Sequence, residues 1–390
     1  MNPAQPSPVW TLEAPRVERS GSTCRILCRI DHEDAWLESD DTELYPGIEA
    51  FAGAMMTPAL AVGAQLKLHA PVDTHWLSRQ RKLAEWHRLW WYPDQPFPIE
   101  QAPQTTGKNL QARSVATCFT CGVDSFDTLL QNLNRIDVLL FVQGFDIPLD
   151  DTPRMDAMRS SLHTVARALG KRSLILRTNL RNHHLFGQAD WRHTHGAALA
   201  AAGHAASPAI GRLLIPSSYY LKMDYPWGSH WKTDPLHSSS RIVFEHNGHS
   251  AYRLKKINRI SHHPLVQKHL RVCWENRADT GNCGECEKCI RTMAALHAVG
   301  ALESSLTFPR HPSLVERMLV MPTIPRKSLI RNWSSIYAFT SQPELRTAIL
   351  HLIERSFPGA PLDLPPFRHE PEMHLRLHWN NWKNRSKRPQ

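Results

Sequence analysis

SVATCFTCGVDSFDTLLQNL, residues 114–133, is the stretch from which the fold is read. Its opening, residues 114–119, predicts a strand, and residues 124–134 predict a helix. Between them lies the turn Thr120-Cys121-Gly122-Val123-Asp124-Ser125. A strand that runs through a tight turn into a helix presents backbone N–H groups and the positive end of the helix dipole at one spot, which suits an anion. Thr120 and Ser125 add hydroxyl donors, and Gly122 lets the backbone approach a phosphate closely. Asp124 repels phosphate, so it fits a Mg²⁺ partner or a cap that holds the turn. Neither G-x-x-x-x-G-K-[ST] nor G-x-G-x-x-G occurs in the chain, so the usual P-loop and Rossmann alternatives lose support.

Working outward, further strands are predicted at 137–143, 173–178 and 212–216, with a weaker one at 241–245. Helices fall between them at 151–169 and 192–206. Alternation of this kind predicts an α/β fold with a doubly wound, mostly parallel sheet. Upstream, residues 1–22 read as a loose arm. Residues 24–30 alternate with period two, placing Cys24, Ile26, Cys28 and Ile30 on one buried face. A small-residue helix near 48–57, a strand near 64–69 and a helix from an Asp73 cap to about residue 90 follow. The Pro-rich segment 93–103 reads as a linker. The expected organisation is a small α/β module over 1–100, a nucleotide-type domain over 111–300 and a helical extension with a basic tail over 301–390.

The chain has 390 residues, 42% of them hydrophobic and 21% charged, so it carries enough apolar surface for a globular core. The first ten residues, MNPAQPSPVW, lack the basic and apolar regions of a signal peptide, and the longest uncharged run, 50–66, is too short and too broken to span a bilayer. No membrane association and a reducing cytoplasm are therefore expected. The formal net charge is +10 and unevenly spread. Arg376, Lys383, Arg385, Lys387 and Arg388 crowd the last fifteen residues, where a nucleic acid or protein partner would find them.

Cys273, Cys283, Cys286 and Cys289 form C-x₉-C-x₂-C-x₂-C, with Asn282 and Gly284 beside the second cysteine to permit the knuckle turns. Four thiolates at this spacing satisfy tetrahedral Zn²⁺ and leave no open position for a catalytic water. An iron–sulfur cluster uses the same ligands and stays open as the alternative.

The hexapeptide Thr120–Ser125 resembles the S-G-G-x-D-S loop of the PP-loop, or N-type, ATP pyrophosphatases, with Cys121 where the first glycine stands. Together with the cysteine cluster about 150 residues later, the stretch 114–300 resembles the 7-cyano-7-deazaguanine synthase branch of that superfamily, in divergent form. The resemblance implies an adenine nucleotide alpha hydrolase-like fold, with ATP, Mg²⁺ and Zn²⁺ as cofactors. It implies that Thr120, Cys121, Gly122, Val123, Asp124 and Ser125 cradle the nucleotide phosphates. Lys256, the better match of the pair Lys255–Lys256, stands where the family uses a lysine near them.

Residues just beyond predicted strand ends are expected to line the ligand crevice. Gly144, Asp146, Asn179, Arg181, Ser217 and Tyr219 qualify, as do His195 and Gly196 at the start of the Ala-rich helix. The irregular run 224–234 offers His230 and Asp234 as groups to orient an acceptor or shuttle a proton. The expected activity is adenylation of a carboxylate or amide-type oxygen of a small molecule or modified base. Pyrophosphate leaves, and the activated carbon passes to ammonia or another amine, with a homodimer left open. Two rivals are a tRNA- or nucleobase-modifying enzyme of the same class, with Cys118 or Cys121 carrying sulfur, and a non-catalytic zinc-stabilised binding protein.

Overall fold

The computed structural model describes residues 7–99, 102–106, 114–278 and 280–363. The basic tail and most of the Pro-rich stretch 359–371 lie outside the described residues. The chain forms two compact units, Met1–Thr120 with Asp124–Ala251, and Cys121–Val123 with Tyr252–Gln390. Among the described residues no helix is long and apolar enough to cross a membrane.

In chain order the first unit contains β1 (Val9–Leu12), β2 (Arg16–Ser20), β3 (Thr23–Ile30), β4 (Glu33–Ser39), α1 (Ile48–Val62), β5 (Gln65–Leu68), β6 (Val72–Asp73), α2 (Thr74–Trp90) and β7 (Gln104–Thr105). It continues with β8 (Val115–Cys118), α3 (Val123–Gln131), β9 (Val138–Gln143), α4 (Thr152–Ala168), β10 (Arg172–Thr178), α5 (Trp191–Ala205), β11 (Arg212–Pro216) and β12 (Val243–Asn247). Asp73 caps α2 as its sequence predicts, accepting the Trp76 N–H at 2.8 Å.

One mixed sheet takes the strands in the order β12-β11-β8-β9-β10-β4-β3-β1-β5, with β2 added beside β3. The five strands from β8 onward all pair in parallel. Every residue of β9, VLLFVQ, is buried, as a strand covered on both faces requires. In chain order these five strands are arranged 3-2-1-4-5, so the connection reverses direction between β8 and β11. Such a reversal opens a crevice at the carboxyl ends of the two strands, and the turn 120–125 follows the carboxyl end of β8.

The division differs from the one read from the linker. Residues 1–100 share the sheet of the second half instead of standing apart, because β4 pairs antiparallel with β10. Side chains reinforce that seam. Glu38 accepts from both Arg25 (2.7 Å) and Arg177 (2.6 Å), and the Asn179 amide bonds the Asp34 carbonyl and the Trp36 N–H, each at 2.8 Å. Thr178 Oγ1 donates to the Trp36 carbonyl at 2.6 Å. These are long-range pairings that no local composition reveals.

The second unit is mainly helical: α6 (Arg253–Ile260), α7 (Pro264–His269), α8 (Glu287–Ala298), α9 (Leu314–Val320), α10 (Ile330–Phe339) and α11 (Pro343–Ser356). Its core holds the fully buried Trp333, whose Nε1 donates to Glu287 at 3.0 Å while Arg291 pairs with the same carboxylate.

Candidate metal centre and nucleotide loop

The four cysteines converge. Their sulfur atoms lie within 4.8 Å of one another. Cys273 and Cys283 are 3.5 Å apart, and Cys283 and Cys289 are 3.8 Å apart. A tetrahedron with zinc–sulfur bonds of about 2.3 Å has sulfurs separated by about 3.8 Å, so this donor set fits a metal ion such as zinc. The Glu285 and Cys286 N–H groups point at Cys283 Sγ, at 3.4 and 3.3 Å. Cys286 is the N-cap of α8 and Cys289 lies in its first turn. The helix dipole thus favours thiolates there.

Sequence reading gave Asn282 only a turn role, but its side chain ties the centre together. Oδ1 accepts the N–H groups of Val272 (2.7 Å) and Cys273 (3.1 Å), and Nδ2 donates to the Leu270 (2.8 Å) and Thr307 (3.2 Å) carbonyls. One residue earlier, the Arg271 N–H donates to the Cys121 carbonyl at 2.9 Å. A short path of hydrogen bonds and chain therefore connects the cysteine knuckle to the turn at Cys121.

At that turn Cys121 is fully buried with φ +57, the left-handed conformation in which a glycine would be unstrained. Burial pushes its thiol up to about 12, against a small opposing pull from the Arg271 charge. Burial likewise raises Cys118, with the Asp234 charge adding to the effect. Neither thiol is a thiolate at neutral pH, and both are shut away from solvent, which argues against sulfur transfer. Cys121→Gly is expected to change stability by less than about 1 kcal/mol, because relieved strain offsets the lost packing and the looser unfolded chain. A sulfur carrier would instead lose its activity in this variant.

The rest of the loop is compact. The Thr120 N–H reaches Ser125 Oγ at 3.4 Å, Ser125 is buried, and Val123 and Asp124 open α3. In the second unit Lys256 is only 1% exposed on α6, whereas Lys255 is half-buried. An ammonium is rarely fully buried unless paired.

Matched against protein-family models, curated proteins and solved structures, the chain finds no counterpart. The assignment of its parts therefore rests on geometry.

Several residues expected to touch a ligand have packing duties. A Cβ on Gly144 would lie 2.0 Å from the Thr178 carbonyl oxygen, and one on Gly196 would lie 1.9 Å from that of Gly228. These glycines let β9 approach β10, and α5 approach the loop over it. Gly196→Ala is accordingly expected to destabilise the first unit by about 1–3 kcal/mol, lowering its melting temperature by several degrees in a calorimetric scan. Asn179 faces β4, and Ser217 Oγ donates to the Tyr219 carbonyl at 2.6 Å. Arg181 donates to the Phe145 carbonyl and covers the Trp191 ring at 4.5 Å.

His195 is tied by Nδ1 to the Trp191 carbonyl at 3.1 Å, with Trp227 at its edge, 5.4 Å between ring centroids. Burial lowers its pKa, opposed by the hydrogen bond to the Trp191 carbonyl and by the charges of Asp234 and Asp146. Asp234 is fully buried. Its carboxylate accepts from Ser229 Oγ (2.7 Å), the His230 N–H (3.1 Å) and His246 Nδ1 (2.6 Å). The imidazole held by Asp234 is thus that of His246, a residue the sequence did not single out. The ring of His230 instead accepts the Lys232 N–H at 3.2 Å and meets the edge of Trp90.

Proposed function

We propose that the protein is an ATP- and Mg²⁺-dependent adenylating enzyme of the PP-loop type. It attaches AMP to a carboxylate or amide-type oxygen, releases pyrophosphate and passes the activated carbon to ammonia or another amine. The observation that carries this reading is the position of the turn 120–125, beyond the carboxyl end of β8 and beside the reversal of strand order. Ligands bind in crevices of that kind.

The roles follow from the chemistry of each group. Thr120, Gly122, Val123 and Ser125 supply hydroxyl and backbone donors toward the β- and γ-phosphates at the start of α3. Asp124 is the carboxylate suited to hold Mg²⁺, which when bound neutralises charge on the departing pyrophosphate. AMP is a far better leaving group than hydroxide, so the later attack by an amine is downhill. The cysteine centre holds a structural metal, zinc in this reading, since four protein thiolates leave no site for substrate.

Nucleotide products decide the matter. The purified protein is incubated with ATP, Mg²⁺ and ammonium, with 7-carboxy-7-deazaguanine in one sample and a cell extract in another. AMP and pyrophosphate are expected in at least one, falling by two orders of magnitude or more on Asp124→Ala. ADP and phosphate would rule out the mechanism. No turnover and no ATP binding would favour a zinc-stabilised binding protein.

A further inference from the structure

The adenylating reading leaves open which group takes the proton from the attacking amine, and the first unit holds a candidate. Strand register fixes its place. Leu214 pairs with Thr117, and Ile215, the next residue, pairs with His246. Successive side chains alternate faces, so Cys118, Ile215 and His246 share one face at the carboxyl ends of β8, β11 and β12. Phe244, two residues before His246, is on that face too, and α5 covers it, since a Cβ on Gly203 would meet the Phe244 ring at 2.6 Å. Asp234 lies on the same side, bonded to His246 and close enough to act on Cys118.

Tautomers separate the three histidines of this region. His230 Nδ1 accepts a backbone N–H, so in its neutral form the proton sits on Nε2 and no lone pair remains for a base. His195 donates Nδ1–H to a carbonyl, and burial opposes its charging. His246 points Nδ1–H at a buried carboxylate, which leaves the lone pair on Nε2 and stabilises the imidazolium once formed. Among the described residues Nε2 has no hydrogen-bond partner. The titratable groups facing the ring are Asp234, His230 before it in the chain and His249 beyond β12, whose ring centroid is 5.5 Å away.

We propose that His246 is the proton acceptor for the amine in the second half-reaction, with Asp234 as its positioning residue. This rests on the adenylating reading. The amine lone pair bonds to the activated carbon, and the bond from that carbon to the AMP phosphate oxygen breaks. AMP departs with the electron pair, and the proton lost by nitrogen goes to His246 Nε2 and then to solvent. Atoms and charge balance without an oxidant or reductant.

The test separates the half-reactions, using the full chain and whichever acceptor sample gives AMP. ATP–pyrophosphate exchange without amine reports adenylation; AMP release with ammonium reports transfer. His246→Asn keeps a donor toward Asp234 and removes Nε2. It is expected to lower amine-dependent AMP release about 100-fold and exchange far less. Asp234→Asn should weaken transfer in the same selective way. Equal loss of both activities in His246→Asn, or no loss of transfer, overturns the assignment of His246 alone. A wild-type protein that neither exchanges nor makes AMP overturns the adenylating reading, and the assignment with it.

Discussion

Stripping the metal from the four-cysteine centre is expected to unfold the knuckle of the second unit and to loosen the turn at Cys121. Apparent binding energies of structural zinc sites are about 10–16 kcal/mol, against about 5–15 kcal/mol for the stability of a whole domain. Without the ion, four sulfurs confined within 4.8 Å of one another repel as thiolates or leave a poorly packed cluster. The Asn282 bonds to Val272 and Cys273 then lose the geometry that holds them, and the Arg271 N–H bond to the Cys121 carbonyl is next along the path. Chelation or Cys286→Ser should therefore lower the melting temperature of this unit by well over 10 °C. Amide exchange should speed up in both 270–290 and 119–123. Elemental analysis is expected to give one zinc per chain; several irons with visible absorbance would mean a cluster instead. Asn282→Ala should reproduce a milder form of the same loss with the metal still bound.

Acidification is expected to destabilise the first unit steeply between about pH 6.5 and 4. Burial holds His87 and His204 down to about 3, and His230 and His237 down to about 4. The folded state therefore stays unprotonated at these positions while the unfolded chain, with an ordinary value near 6.5, takes up protons. Stability contributed by the neutral rings is complete above the unfolded value and is lost as pH falls toward the folded values. One pH unit below 6.5, each such histidine costs roughly 1.4 kcal/mol. Four together would consume about a third or more of an ordinary domain's stability. Denaturant melts at pH 7.5, 6.5 and 5.5 check this. His87→Gln or His204→Gln should flatten the pH dependence by about one proton each, even if either lowers stability at neutral pH. An unchanged midpoint between pH 7.5 and 5.5 would contradict the burial argument.

Much of the local structure was legible in the sequence because local physics decides it. The Asp73 cap starts α2 with the expected side-chain bond. The period-two run puts Cys24, Ile26, Cys28 and Ile30 in the core. The C-x₂-C spacing brings cysteine sulfurs together because a knuckle turn is a short-range geometry. Gly122, Asp124 and Ser125 were likewise readable as a turn entering a helix.

What crossed long stretches of chain was not readable. Nothing in residues 1–100 announces that β4 will pair with β10, since the matching groups, Glu38 with Arg177 and Trp36 with Asn179, are some 140 residues apart. Gly144 and Gly196 looked like ligand positions, and only the approach of another backbone explains them. His246 was one of 23 histidines until Asp234 selected it. Asn282 became more than a turn residue only when its amide met four backbone groups at once. By itself the sequence determined the alternating strands and helices, the turn 120–125 and the cysteine donor set, because spacing and periodicity act over a few residues. Tertiary structure decided the single mixed sheet, the 3-2-1-4-5 order beside the turn and the Asp234–His246 pair, because each depends on which distant backbones and side chains satisfy one another once water is excluded.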